Sequence, residues 1–301
     1  MSISNFGLLH PGEMGVTVGI AAQSSTEVLW LDCERSTSTQ KRAKSASLTP
    51  LSSFRSLVDK SDIIFCVCPP HGAKQVAEEV AQASFAGLYV DANALSPNNV
   101  CEIGKIITNS GADFVDGSLV GPPAKQVGTT RLYLSGERAE EVSIIFDGSM
   151  LDARVISTEI GKASALKMAY AAWTKGTDAL LIAIRALAAF EGVDQALVKE
   201  WNQSQAGLET QSLNAISNSA PKGWRYTSEM HEIAGTFSAN NLPSGFHEAA
   251  NDIYERLSVF KDQFQPAPTL KKVLESLQSP QSSKVDDVSL FKKEECGKSI
   301  L

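Results

Sequence analysis

Lys167 lies in the run Gly161-Lys162-Ala163-Ser164-Ala165-Leu166-Lys167-Met168-Ala169-Tyr170, and its amine is the chain's strongest candidate for proton transfer. On a helix advancing about 100° per residue, Ala171, Thr174 and Asp178 fall within about 40° of it, and Lys175 lies about 80° away. No bulky apolar residue stands directly beside it, since Met168, Trp173 and Leu180 point elsewhere on the helix. A lysine on such a face of small residues points into a cavity or into water. If the cavity is dry, burial lowers the ammonium pKa and lets the group exchange protons near neutrality. The plainer alternative is a solvated or snorkelling lysine. The apolar surroundings on the same helix weigh against it.

A second constellation opens the chain. Phe6-Gly7-Leu8-Leu9-His10-Pro11-Gly12-Glu13-Met14-Gly15 is followed by the apolar run Val28-Leu29-Trp30-Leu31, which ends on Asp32. Strand, tight glycine turn, helix and second strand form a unit that binds a dinucleotide pyrophosphate, because the helix start aims free N–H groups and a positive dipole end at the phosphates. Gly12 lets the backbone approach the pyrophosphate, and Gly15 lets the helix pack closely on the strand. His10 occupies the first glycine position of the full G-x-G-x-x-G pattern, which leaves an unliganded strand–turn–helix as the alternative. His10 is read as a structural contact to the dinucleotide and not as a proton carrier. Asp32 stands where an acid can accept hydrogen bonds from a ribose 2′-hydroxyl. Arg35-Ser36-Thr37 follows, and an arginine with hydroxyl neighbours suits a 2′-phosphate. The alternative for Asp32 and Arg35 is a solvated turn pair.

The elements that must position these groups change character midway. Up to about residue 156, short β-rich runs (Gly7–Leu9, Val28–Leu31, Ile63–Cys68, Leu88–Val90, Phe114–Val115, Leu132–Leu134) alternate with helical stretches at Gly15–Ser24, Gly72–Ala83 and Pro97–Asn109. Short, continuously apolar strands between helices predict a doubly wound parallel α/β sheet covered on both faces. Its ligands bind beyond the carboxyl ends of the strands, so the loops starting at His10, Asp32, Pro69 and Asn93 should line one crevice. After Gly161 the strand signals vanish, and Ala163–Glu191, Asp194–Gln203 and Gly245–Gln263 read as long helices. The expected division is residues 1–158 for the sheet domain, 159–278 for an all-α domain, and a largely disordered Ser-, Lys- and acid-rich tail over 279–301.

Composition narrows the class. A chain of 301 residues with 43% hydrophobic content can bury a core large enough for two domains. A net charge of −7 argues against a nucleic-acid surface. Cys33, Cys66, Cys68, Cys101 and Cys296 form no C-x-x-C pair, and Cys66 and Cys68 read as small core residues in a reducing, cytoplasmic compartment. Four scattered histidines show no zinc-type spacing, so no metal is expected. No signal segment or membrane-spanning run is apparent.

Several stretches carry a resemblance: His10 to Gly15, Leu132-Tyr133-Leu134-Ser135-Gly136, Ala163 to Met168, Ala172-Trp173-Thr174-Lys175-Gly176, and Gly245-Phe246-His247-Glu248-Ala249-Ala250. Through them the chain, from Gly7 to about Leu257, resembles the β-hydroxyacid dehydrogenase superfamily, which includes 6-phosphogluconate and 3-hydroxyisobutyrate dehydrogenases. The likeness is to the branch whose C-terminal domain is a domain of unknown function. It implies a Rossmann domain, a helical C-terminal domain joined by a long helix, and a homodimer formed through the helical domain. It implies Lys167 as general acid/base beside the transferred hydride. Glu34-Arg35-Ser36 is similar to the Asn-Arg-Ser/Thr triplet of NADP-using relatives, which favours NADP, with NAD as the other possibility. Cys68, Pro69 and Pro70 match a loop flanking the adenosine half, and Asn93 and Ala94 a loop near the nicotinamide.

The departures from that family bear on the substrate. Relatives acting on hydroxyacids carry an asparagine one turn after the lysine, where this chain has Tyr170 and Ala171. Their substrate loop reads Asp-x-x-Val-Ser-Gly-Gly; here Asp116-Gly117-Ser118-Leu119-Val120-Gly121-Pro122 puts Val120 at the serine and Pro122 at the second glycine. Losing that hydroxyl removes much of a carboxylate-binding loop, and Ser118 is the candidate substitute. Imine-reducing relatives usually replace the lysine, so its presence favours carbonyl/alcohol chemistry. Tyr170, Lys175 (facing an anionic substrate group) and His247 (facing the cleft of its own or a partner chain) complete the substrate candidates, with Trp173 read as core. The expected activity is NADP-dependent hydride transfer on a small carbonyl or alcohol. A decarboxylating sugar-acid dehydrogenase and a non-catalytic nucleotide-binding scaffold are the alternatives.

Overall fold

Strands that read as unbroken apolar runs need helices on both faces, and the computed structural model, which describes residues 3–278, supplies them. Strands β1 (Asn5–Leu9), β2 (Glu27–Leu31), β3 (Thr49–Leu51), β4 (Ile63–Cys66), β5 (Leu88–Asp91), β6 (Asp113–Val120), β7 (Thr130–Ser135) and β8 (Leu151–Ser157) form one sheet. Their order is β3-β2-β1-β4-β5-β6-β7-β8, parallel throughout except between β6 and β7. Successive side chains alternate between two cores, as the two-residue strand period requires. Phe6, Leu8, Ile63, Phe65, Leu88 and Val90 face helices α1 (Glu13–Ala22) and α2 (Thr37–Ser45) through Val18 and Ala43. Leu9, Ile64, Cys66 and Tyr89 face α3 (Phe54–Lys60), α4 (Pro70–Gln82) and α5 (Pro97–Asn109) through Leu57, Ala77 and Ile103. Helix α6 (Ala139–Ile145) completes the first of these layers through Val142.

Two strands escape a reading by apolar runs. β3 is a three-residue piece built around Pro50, which an edge strand tolerates because one side of its ladder is unpaired. β8, at the opposite edge, alternates half-buried and exposed residues (Asp152, Arg154) and so lacks a continuous apolar signature. Two expected bounds also move. β4 stops at Cys66, leaving Cys68 in the turn beyond it, and β6 runs on to Val120. Ser118 and Val120 are thus strand residues and not part of a loop, which corrects the reading of this run from the sequence.

The second half is all helix: α7 (Lys162–Phe190), α8 (Asp194–Ser204), α9 (Leu208–Ser219), α10 (Gly223–Ala239), α11 (Gly245–Leu257) and α12 (Leu270–Gln278). A 3₁₀ turn at Ser258–Phe260 ends α11 before the expected Gln263. These helices share a core of Met168, Ile182, Met230, Ile233, Tyr254 and Leu257. Among the described residues no helix is long and apolar enough to cross a membrane. The expected tail over 279–301, with Cys296, lies outside the described residues.

Two carboxylates, one buried and one half-buried, tie the halves together. Asp116, wholly buried on β6, accepts from the Gly161 and Ser164 amides (3.0 Å each), the Ser164 hydroxyl (2.7 Å) and the Ser135 hydroxyl (2.9 Å). It thereby caps the start of α7, where an acidic group also meets the positive dipole end. Burial pushes the Asp116 carboxyl up, and these four donors oppose that rise. Glu232 on α10 accepts from the Ser96 amide (2.6 Å) and from the Asn99 side chain (2.8 and 2.9 Å), closing the helical half onto the start of α5.

Candidate active site

The chain leaves β1 for β2 and β3 on one side and returns to β4 on the other. The carboxyl ends of β1 and β4 are therefore the switch point, where an open α/β sheet forms its ligand crevice. His10 follows β1 with φ of 67°, an uncommon backbone region in which histidine is enriched. Pro11 and Gly12 complete the turn, and α1 starts at Glu13 and Met14 with no side chain capping it. Its leading N–H groups are left to a ligand or water. A Cβ on Gly12 would meet nothing nearer than the His10 carbonyl at 4.0 Å, so its outer side is open to an approaching group. A Cβ on Gly15 would stand 2.4 Å from that carbonyl, so only glycine lets α1 sit this close. The close approach is to the turn itself, not to the body of the strand.

At the end of β2, one Asp32 carboxylate oxygen is buried with no hydrogen-bond partner. That is the kind of acceptor a ribose hydroxyl would satisfy. The Arg35 Nε reaches back to the Leu31 carbonyl at 3.4 Å. Ser36 has a different task from the one expected. It is the N-cap of α2, accepting from the Thr39 amide at 3.3 Å, so its hydroxyl is already engaged.

Asn93 is also committed elsewhere. Buried behind β5, it accepts from the Cys68 amide at 2.5 Å and donates to Asp91 at 3.0 Å and to the Cys66 sulfur at 3.5 Å. Its amide fixes the turn beyond β4 and is not presented to a nicotinamide, which corrects its assigned role. Ala94 packs against the helical core. Pro69 caps α4, whose first residue is Pro70, and the missing amide of proline is no loss at that position. The Cys66 and Cys68 sulfurs stand 3.7 Å apart.

Lys167 reaches the same edge of the sheet from the helical side. Its Nζ donates to the Leu119 carbonyl near the end of β6 at 2.8 Å. Burial, aided by the nearby Lys175 charge and opposed by Glu229, lowers its pKa from the ordinary lysine value to about 8. The side chain is half-buried there, crowded by protein but not sealed from water. Beside Leu119, the Ser118 hydroxyl is wholly buried and lacks a partner. Gly121 follows with φ of 124°, where a Cβ would lie 2.3 Å from the Thr129 carbonyl, and Pro122 is exposed. The Pro122 carbonyl is taken by the Thr130 hydroxyl at 2.5 Å.

The carboxylate that meets Lys175 is the protein's own. Lys175 pairs with Glu229 on α10 and lies 5.0 Å from the centre of the Tyr226 ring, so it is not a free cation awaiting an anionic substrate. Burial would raise the Glu229 carboxyl, but Lys175 and then Lys167 outweigh it and hold its pKa below the usual range. Tyr170 and Trp173 are exposed, Trp173 by 69%, which overturns the expectation that Trp173 is core. His247 is buried against Phe237, with ring centres 4.5 Å apart, and its Nδ1 has no partner. Burial lowers its pKa. It lines a 740 Å³ apolar cavity between α7 and α11 with Ala172, Trp173, Gly176 and Phe246. Neither Lys167 nor Lys175 lines that cavity.

Sequence reasoning missed Asp116 as an anchor, as well as Glu229 and Glu232. Asp116 alone had a signal, a carboxylate inside the apolar run Phe114-Val115-Asp116-Gly117-Ser118-Leu119-Val120. Glu229 lies 54 residues from the lysine it meets, and no spacing links them.

Residues 188–257 match the family model described as a domain of unknown function, DUF1932. An uncharacterized 28.5 kDa protein of Methanothermus fervidus is 29% identical over 182 residues, 60% of this chain and 70% of that protein. A conserved protein of unknown function, described as structurally similar to 3-hydroxyacid dehydrogenases, matches with a TM-score of 0.65 and 24% identity. That match covers 88% of this chain and 100% of the other. The 3-hydroxyisobutyrate dehydrogenase of Mycobacterium tuberculosis superposes with a TM-score of 0.69 at 14% identity, over 92% and 100% of the two chains. A mostly parallel sheet with its crevice at the β1/β4 switch, followed by a helical half of which residues 188–257 match DUF1932, is the fold shared with these 3-hydroxyacid dehydrogenase-like structures.

Proposed function

We propose that the chain is an NAD(P)-dependent oxidoreductase acting on a small carbonyl or alcohol, with Lys167 as the group that gives or takes the proton at the substrate oxygen. The observation that carries this reading is the Lys167 amine, half-buried at the carboxyl edge of the sheet against the Leu119 carbonyl, with its pKa lowered to about 8. A group titrating close to the working pH can serve in either direction of proton transfer. Structures of this fold carry NAD+ in an imine reductase of Myxococcus stipitatus and NADP+ in Psf3. The residues of this chain fit such a cofactor: an uncapped α1 start, an open face at Gly12 and an unpartnered Asp32 oxygen are the acceptors and donors a dinucleotide needs. Arg35, at the rim of the β2 end, favours NADP over NAD.

Bound there, the nicotinamide supplies or accepts the hydride. Everything else falls to the protein. Lys167 holds a proton on Nζ, braced by the Leu119 carbonyl, and Ser118 offers a buried hydroxyl beside the same backbone. Glu229 pairs with Lys175, so the site presents one cation without a carboxylate partner and not two. That balance suits a neutral carbonyl better than a sugar acid and speaks against the decarboxylating alternative. The residues Val120, at the end of β6, and Pro122, just beyond it, support a substrate other than the ordinary hydroxyacids. A homodimer formed through the helical half, with His247 near the shared face, belongs to the same reading.

The test pairs binding with turnover. Fluorescence titration with NADPH and NADH should show tighter NADPH binding, and a panel of aldehydes and ketones should show NADPH oxidation. Lys167→Met should retain NADPH binding and lose turnover by about a hundred-fold or more, the scale of positioned acid/base catalysis. Equal turnover in the variant would remove Lys167 from the chemistry.

A further inference from the structure

The carboxyl ends of β1 and β4 collect three soft ligand atoms that proton transfer at Lys167 does not use. β1 and β4 are paired so that Leu9 lies opposite Cys66, which puts the residue after β1, His10, beside the end of β4. Cys68 follows Cys66 by two residues and turns back toward it. One side-chain ligand atom each from His10, Cys66 and Cys68 lies within 4.8 Å of the other two. We propose that His10, Cys66 and Cys68 form a binding site for a thiophilic metal ion, Zn2+ or Cu+, at the floor of the crevice.

The spacing of these atoms is compatible with a metal ion between them. Two sulfurs bound to a tetrahedral zinc at about 2.3 Å stand about 3.8 Å apart. Here the separation is 3.7 Å. Thiolate and imidazole together select Zn2+ and Cu+ over Mg2+ or Ca2+, which prefer oxygen. The His10 Nδ1 is buried without a hydrogen-bond partner, an acceptor position that an ion would satisfy. An outer layer is also in place. Asn93 holds the Cys68 amide at 2.5 Å and its side-chain nitrogen points at the Cys66 sulfur at 3.5 Å, so both thiols are oriented by one amide. Asp91 in turn fixes Asn93, accepting from its amide and from its side chain at 3.0 Å each. Three protein ligands leave the fourth position for water or another ligand. The two thiols come from a C-x-C spacing and the histidine from a different strand, so no linear zinc motif exists in the sequence.

The experiment is titration of the full chain, fully reduced and free of dinucleotide, with Co2+ as a spectroscopic stand-in for Zn2+. The expected result is one tightly bound Co2+ per chain, with thiolate-to-cobalt absorption in the near ultraviolet and tetrahedral bands in the visible, both erased by Zn2+. Cys68→Ser, at the more accessible thiol, should weaken binding by about ten-fold or more and reduce the near-ultraviolet band. Cys33→Ser, at an exposed thiol outside the cluster, should leave both unchanged. Absence of stoichiometric binding to the wild-type chain overturns the proposal, as does a near-ultraviolet band that survives Cys68→Ser intact. Because the assay contains neither cofactor nor substrate, its failure leaves the oxidoreductase reading standing, and loss of that reading leaves this one.

Discussion

Lys167 illustrates how far a single residue can be read and where the reading stops. Its helical neighbours left two settings open, cavity or water, and the structure gives a half-buried one, with Nζ against the Leu119 carbonyl. The lowered pKa yields a signed prediction. Carbonyl reduction needs the ammonium form, so its rate should fall as pH rises through about 8, whereas alcohol oxidation needs the free amine and should rise through the same point. Stopped or steady-state rates in both directions from pH 6 to 10 would read the two limbs, and limbs of the same sign would exclude Lys167 as the shared group. Glu229 opposes the lowering, so Glu229→Gln should move both midpoints to lower pH. A purely structural Glu229 would change stability and leave the midpoints where they were. Other residues were misassigned for a common reason. Ser36, Asn93 and Lys175 are polar side chains whose partners (Thr39, Cys68 with Asp91, and Glu229) are set by the fold, and a residue type alone does not reveal that its hydrogen-bonding capacity is already used.

At the level of elements, legibility follows burial symmetry. Strands covered on both faces announce themselves as apolar runs, which is why β1, β2, β4 and β5 were readable, and α5 even to its bounds. Edge strands β3 and β8 face water on one side and lose that signal. Helices α9, α10 and α12 mix polar and apolar residues on a smaller core and were not distinguished from their connections. What no pattern displayed is how α7 is attached to the sheet. Asp116 accepts four hydrogen bonds, three of them from the first residues of that helix and the glycine before it. Asp116→Ala would leave those donors buried and unpaired, with a cost of about 3 kcal/mol or more. Urea unfolding should show a lowered midpoint with the slope little changed. Since Lys167 lies on the same helix, turnover should fall more than NADPH binding, while a variant with wild-type stability would mean that the carboxylate does not secure α7.

On the scale of the whole molecule, the described surface is unfinished along one face. Trp173 (69% exposed), Leu180 (58%) and Phe246 (79%) crowd the rim of the apolar cavity between α7 and α11. Large apolar side chains gathered on one face, rather than scattered singly, mark a surface that another molecule covers. The cavity lies beside the buried His247 but away from Lys167, so its occupant would brace the helical half and not take part in proton transfer directly. A second copy of this chain is the occupant that fits the proposed homodimer, since a two-fold contact would set the α7 face of one protomer against the same face of its partner. Light scattering on the purified protein should then return the mass of two 32.2 kDa chains. Trp173→Glu places a charge at the centre of that face, where burial without a counter-charge is costly, and should shift the mass toward one chain while far-ultraviolet circular dichroism stays unchanged. If the wild type is monomeric at every concentration, this face serves something other than self-association, and His247 belongs to its own chain's interior alone.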